Sequence, residues 1–427
     1  MIIYQAKAPQ RSEQILELEV DFGKSLPEAQ VFYLPYYRPG RYQGAGYEKN
    51  IFAIEAFDDK GKSLPIIKSG LNTWTAPQPG IRSITYRYFC RRMDAGGSWL
   101  DDTLLYLNPV NFLLIAAGSE HSPIRIAVMP SSDLQIIYPM EGFNREYPHL
   151  EAAIDSPFIA SNACESIYYE QDVPFGIHII GQLPLPDVDL EQLFRGFAQA
   201  QKELFGAFPF PRYDYLIFCN DITPYHGVEH QNNTVITLPA GKSPEENLRS
   251  LLGISSHELF HAWNVCRMRP KELLPYRLMK PVIFDTGYAL EGFTTYYGDL
   301  MLMRGGCISE EDFQHELQKR KEAYLKTEGR KWATLRSSSR NLWANAYDEL
   351  SLHTEVSIYG RGMLAAWEID LAIRKYSNGQ KSLDDVMRMM WASYGNLRDA
   401  YTHADIQRMV KTAGGEKALE VFNEAVG

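Results

Sequence analysis

Two imidazoles and a carboxylate fall within five residues at His257-Glu258-Leu259-Phe260-His261. On a helix, positions i and i+4 share a face, so both histidines can reach one metal ion while Glu258 sits beside them as a base. This is the spacing of a hydrolytic zinc site, and the chemistry it implies is metal-assisted hydrolysis. The five residues alone do not separate such a site from accident. A catalytic zinc needs a third protein ligand and an open position for water. The best candidate is Glu291, in Tyr288-Ala289-Leu290-Glu291-Gly292-Phe293-Thr294-Thr295-Tyr296-Tyr297. On its own residues Glu291 reads either as a ligand or as an acidic cap opening an apolar helix. The histidine pair upstream favours ligation.

The elements that must carry these residues are legible. Ser243 is placed to cap a helix, with Pro244 at its first position and Glu246 at the capping-box position, so a helix is expected to begin near 244. Leu248, Leu251, Leu252, Ser255 and Leu259 recur at helical spacing and leave His257 and His261 on a neighbouring face. Pro270 is the expected stop, and a second helix is expected after Asp285 and Thr286. Earlier in the chain, Leu16, Leu18, Val20 and Phe22 alternate with Glu17, Glu19 and Asp21, and Ile124, Ile126 and Val128 with Arg125 and Ala127. These read as half-buried strands, separated by turn clusters such as Asp58-Asp59-Lys60-Gly61-Lys62, and an antiparallel sandwich is the natural architecture. From Gly176 to Ala240, strands such as Tyr215-Leu216-Ile217-Phe218 surround an amphipathic helix carrying Leu193, Phe194, Phe197, Leu204 and Phe205. From Ser243 onward the pattern is mostly helical, through Leu364, Trp367, Leu371 and Ile373 and again through Val386, Met389, Met390 and Trp391.

The run His257-Glu258-Leu259-Phe260-His261-Ala262-Trp263-Asn264-Val265-Cys266-Arg267-Met268-Arg269-Pro270 resembles the zinc helix of the glycyl aminopeptidase family. That family is a branch of the gluzincin metallopeptidases, related in site architecture to aminopeptidase N. Glu291-Gly292-Phe293-Thr294-Thr295-Tyr296-Tyr297-Gly298-Asp299 is similar to its third-ligand helix, and the long His-to-Glu gap fits this branch. Gly227-Val228-Glu229-His230 resembles the exopeptidase motif of such enzymes, and Ser357-Ile358-Tyr359-Gly360-Arg361-Gly362 their tyrosine signature before a long helix. Taken alone, Glu229 reads as a glutamate on a solvated strand and Tyr359 as one packing tyrosine among 26. The N-terminal Leu34-Pro35-Tyr36-Tyr37-Arg38-Pro39-Gly40-Arg41-Tyr42 and Asn72-Thr73-Trp74 are similar to the β domain that precedes catalysis in the family.

The resemblance implies an α+β protein, with an N-terminal antiparallel β-sandwich over 1–170 followed by a thermolysin-like, mostly helical zinc-peptidase domain over 171–427. The latter would be mixed α/β to about 305 and helical over 306–427. It implies one Zn²⁺ per chain on His257, His261 and Glu291, with Glu258 as general base and Tyr359 as oxyanion donor. Glu229 would accept the free α-amine of a peptide, with Gly227 and Val228 lining the substrate. Thr295 and Asp299 are candidates to orient the histidines. His230 would assist the substrate or merely pack. The implied reaction is hydrolysis of the first peptide bond, releasing small N-terminal residues such as glycine or alanine. A catalytically silent peptide-binding relative and a zinc endopeptidase are the alternatives. The sequence departs from the family pattern at Cys266, where lysine is usual, at Tyr288 for tryptophan, at Ile358 and Arg361 for tyrosine and lysine, and at His226 for glycine. Many relatives continue into a PDZ module; this sequence reads as the short form.

Global properties bound the partners. With 427 residues and 45% hydrophobic content the chain can bury two or three cores. A net charge of −10 without a basic stripe argues against nucleic acid or an anionic membrane as partner. Cys90, Cys164, Cys219, Cys266 and Cys307 have neither metal spacing nor a disulfide framework. With no secretory signal or bilayer-spanning run read in the sequence, a reducing cytoplasm is the expected compartment.

Overall fold

Alternation of apolar and charged side chains turns Leu16, Leu18 and Val20 into the core from the strand Ile15–Asp21, and Ile124, Ile126 and Val128 from the strand Ile124–Met129. In the computed structural model, which describes residues 1–129, 133–345, 347 and 349–427, these strands belong to one seven-stranded sheet. Two four-stranded sheets complete the N-terminal region. The sheets are antiparallel as expected, with one difference: the strand Ile2–Lys7 runs parallel to Ile124–Met129, pairing Ile2 with Ile124 and Lys7 with Met129. A parallel pair needs a long crossover, and the whole of the intervening sheet structure supplies it.

A five-stranded sheet opens the second region. Val173–Gly181, Tyr213–Asn220 and Asn233–Pro239 run parallel at its centre, and Cys164–Gln171 and His226–Glu229 flank them antiparallel. Cys164–Gln171 pairs along its length with Val173–Gly181, so a boundary at 170 cuts through a hairpin, and the chain changes sheets between Ser161 and Cys164. The helix Leu190–Phe205 begins on an Asp189 cap and ends at Gly206, which takes a left-handed φ of 93°. It buries Phe194, Phe197, Leu204 and Phe205 against this sheet and the helices behind it.

The helix Pro244–His261 starts as its sequence dictates, with Ser243 and Glu246 forming a reciprocal capping box and Pro244 at the first turn. It ends at His261, well short of Pro270. Val265 adopts φ 92°, and the Cys266 and Met268 amides donate back to the carbonyls of His261 and Trp263. The chain therefore turns through a left-handed residue before the proline is reached. A π-helical turn, Tyr288–Gly292, leads into the helix Phe293–Arg304, and the helices Gly360–Tyr376, Leu383–Tyr394 and His403–Val426 close the bundle.

The two regions share a seam. Met93, Ala95, Leu104, Tyr106, Ile137 and Ile159 from the first pack against Leu216, Phe218, Val228 and Val235 of the five-stranded sheet. All five cysteines are free thiols. Among the described residues no helix is long and apolar enough to cross a membrane.

Candidate active site

Helical spacing brings the rings of His257 and His261 to 4.7 Å between centroids, with their Nε2 atoms 3.1 Å apart. Glu291 arrives from the π-helical turn, placing Oε2 3.4 Å from His261 Nε2 and 3.6 Å from His257 Nε2. A tetrahedral zinc with ligand distances of about 2.0–2.1 Å separates its donors by roughly 3.3 Å. The three separations bracket that value, and nitrogen plus carboxylate donors suit the ion, so these residues fit zinc.

The histidine tautomer is also set. The Asn264 carbonyl accepts from His261 Nδ1 at 2.9 Å, which leaves Nε2 free as a donor atom towards a cation. The Asn264 side chain donates to the carbonyls of Ala289 and Leu290 and to Thr294 Oγ1. One asparagine thus ties the end of the histidine helix to the turn that carries Glu291. Gly298 allows the same two helices to approach closely, since a Cβ there would meet the His257 backbone. Ser256 donates to the Gly298 carbonyl at 2.7 Å and fixes that approach.

Glu258 and Glu229 lie on the other side of His261. One ligand atom from each of the three falls within 4.8 Å of the others. Both carboxylates are buried, and Glu258 Oε2 and Glu229 Oε1 have no hydrogen-bond partner. Burial pushes the Glu258 carboxyl up to about 8, with Glu229 and Glu291 adding to it against His261. Burial raises Glu229 in the same direction. Glu291 is held down to about 2 despite its burial, chiefly by His261 and His257. His257 is lowered by its burial, whereas Glu291 carries His261 up to about 10 against the same burial penalty. A buried carboxylate held ionised between two imidazoles is a donor set that suits a cation.

Glycines set how near the edge strand comes. A Cβ at Gly227 would collide with the Glu258 carboxylate, and one at Gly40, in the N-terminal region, with that of Glu229. Val228 is buried in the seam between the regions, and it shares with Gly227 and Glu229 the edge strand His226–Glu229 beside the histidine helix. Tyr359 immediately precedes the helix Gly360–Tyr376, and its ring lies 6.5 Å from that of His257. Gly292 faces Gly362 backbone to backbone, which seats the Glu291 turn beside Tyr359. Burial raises the Tyr359 phenol well above its ordinary range, so it remains a donor at neutral pH.

Several expectations need adjustment. The Thr295 hydroxyl bonds back to the Glu291 carbonyl at 2.7 Å, one helical turn away, and does not reach a histidine. Asp299 makes no hydrogen bond to either imidazole, and burial pushes its carboxyl up to about 6. Spacing along the helix put Thr295 on a plausible side, but its back-bond engages the hydroxyl with the Glu291 carbonyl. His230 Nδ1 is engaged with Asp155 at 2.9 Å, and the Gln231 amide reaches the same carboxylate. Two contributors were not singled out by the sequence reading. Asn264 stands just beyond His261 and had a local signal. Tyr42, whose hydroxyl donates to Glu291 Oε1 at 2.9 Å, is 249 residues away and had none.

Comparison with known proteins adds the following. The description "Peptidase M61 N-terminal domain" matches residues 3–162, and "M61 glycyl aminopeptidase" matches residues 250–365. No curated protein matches the chain. Among solved structures, an aminopeptidase N family protein from Idiomarina loihiensis superposes with a TM-score of 0.92 at 20% identity, covering 100% of this chain and 76% of that one. An M1 zinc metallopeptidase from Deinococcus radiodurans superposes with a TM-score of 0.57 at 15% identity, covering 100% and 93%. Native yeast LTA4 hydrolase gives 0.55 at 11% identity, covering 99% and 66%. At these identities the structural likeness carries the fold.

Proposed function

The chain belongs to the M61 glycyl aminopeptidase family and is an aminopeptidase of that kind, and from this premise we propose that it removes small residues from peptides with a free N-terminus. The observation that carries the proposal is Glu229: a buried carboxylate with an unpartnered oxygen, one peptide's reach from Glu258 and His261. A carboxylate so placed needs a cation, and a substrate α-ammonium supplies one. A mid-chain peptide would leave it unpaired.

His257, His261 and Glu291 are the residues that would hold zinc. When bound, zinc supplies Lewis acidity that lowers the pKa of water to about 7 and polarises a carbonyl. Glu258 takes the proton of the attacking water and delivers it to the leaving amine. The Tyr359 phenol donates to the developing oxyanion. Gly227 and Val228 run the substrate antiparallel to the edge strand, and Glu229 fixes its amino terminus so that only the first peptide bond meets the base. The N-terminal domain forms a wall of the site and the rest of the chain carries the catalytic groups.

Preference for small N-terminal residues is supported by the glycyl aminopeptidase family match over residues 250–365. The cavity of about 20 Å³ on the other face of Glu229 is lined also by Arg38, Glu151, Asp155 and Arg269. The test is hydrolysis of a short peptide panel in free and N-acetylated form, varied at the first residue. Cleavage confined to free peptides beginning with glycine or alanine is expected. Equal cleavage of acetylated peptides would make the protein an endopeptidase, and no turnover with metal present would make it a peptide binder.

A further inference from the structure

A hydroxyl of the N-terminal region reaches the candidate metal centre. Tyr42 sits on the loop after the strand Gln30–Tyr33, is 4% exposed, and donates to Glu291 Oε1 at 2.9 Å, itself on a residue 2% exposed. Its ring is seated by Phe284 at 5.3 Å between centroids and by the edge of Trp343 at 6.4 Å. The other carboxylate oxygen, Oε2, is the one that faces the two imidazoles.

We propose that Tyr42 is a positioning residue for the metal centre, occupying Glu291 Oε1 so that Glu291 offers only Oε2 to the ion; this rests on the zinc site described above. A carboxylate has two oxygens and can clamp a cation with both. With Oε1 committed to a phenol in a buried setting, bidentate approach would break a hydrogen bond in a place where water cannot replace it. Single-oxygen ligation leaves the remaining position open for water, as a catalytic site requires. The hydrogen bond also fixes the carboxylate plane before the ion arrives, which raises affinity by preorganisation.

Tyr42→Phe removes the hydroxyl and keeps the ring between Phe284 and Trp343. Zinc affinity of the full-length protein, measured by chelator competition on metal-free material, is expected to fall about tenfold or more. Cobalt-loaded protein gives a second readout that does not depend on turnover: the visible absorption should weaken on Tyr42→Phe as coordination expands. Thermal unfolding of the metal-free variant confirms that the fold is intact. In a Glu291→Ala background the same substitution should add nothing to the loss of affinity. Wild-type affinity and spectrum in Tyr42→Phe, or an undiminished effect without Glu291, would overturn the proposal and leave Tyr42 as packing. Failure of the wild-type protein to bind zinc or cobalt would instead sink the metal site itself. Should Tyr42→Phe not fold, Phe284→Leu, which loosens the seat without touching Glu291, must lower affinity in the same direction; an unchanged affinity there overturns the proposal equally.

Discussion

Individual side chains here are held at contact distance by what their neighbours lack. Gly227 has no Cβ, and Glu258 occupies the space one would fill. Gly227→Ala should therefore displace the carboxylate or push back the edge strand, and turnover should fall at least tenfold while bound metal is retained. Steady-state kinetics beside metal analysis checks this. Glu258→Gln keeps the shape of the side chain but cannot carry the proton; activity should drop by ~10²–10⁴-fold with fold and metal content intact. Retained turnover in that variant would remove Glu258 from the reaction. The residues legible from spacing alone have their partners close in the chain, whereas Glu229 and Tyr359 were read through the family resemblance. His257, Glu258 and His261 lie on one helix, whose cap at Ser243 and Glu246 formed as spelled out. For Thr295 helical spacing gives only a side, and the back-bond to the Glu291 carbonyl reveals where the hydroxyl points. Tyr42 lies in a run that resembles the family's β domain, but its bond to Glu291 was not legible because the partner is 249 residues away.

Among the elements, the histidine helix and the glutamate turn have to be held in mutual register, and buried polar links do it. Asn264 bridges them, and Gln201 from the helix Leu190–Phe205 bonds the Ser256 carbonyl and hydroxyl. The turn is braced from behind by Tyr288, whose hydroxyl is hydrogen-bonded to His403 Nδ1 at 2.8 Å. Burial holds that imidazole down to about 4, from an ordinary 6.5. The unfolded chain takes up this proton near 6.5 and the folded chain only near 4, so the contribution to stability is whole above 6.5 and is lost as pH falls through that window. Urea midpoints taken at pH 7 and pH 5 should show this acid sensitivity in the wild type and a flatter response in His403→Gln. Equal slopes would mean that the brace does not feel the proton. Strand alternation and helix caps foretold most of these elements. The early end of the histidine helix was not foretold, since a left-handed valine at 265 leaves no compositional mark and Pro270 offered the obvious stop.

Across the whole molecule, the site draws on both regions, with Tyr42 of the first bonded to Glu291 of the second, and the candidate ligands are the buried His261 and Glu291 beside the half-buried His257. A metal that binds only the folded state stabilises it by about 2.7 kcal/mol at a hundredfold excess over its Kd. Stripping with a chelator should accordingly lower the unfolding temperature, and adding back zinc should restore it; an unchanged melt would argue against a tight site. The class of each region was readable from its periodicity, since strands alternate and helices recur by threes and fours. How the regions dock was not, because the seam at Ala95, Tyr106, Phe218 and Val228 joins residues with no shared pattern.

The bond between Tyr42 and Glu291 spans 249 residues, and translation proceeds from the amino end. The donor of that bond is synthesised long before its acceptor. On the proposed ligand set, a chain interrupted before residue 291 would carry both histidines without Glu291, so hydrolysis would begin only once the later part of the chain had been made and had met Tyr42.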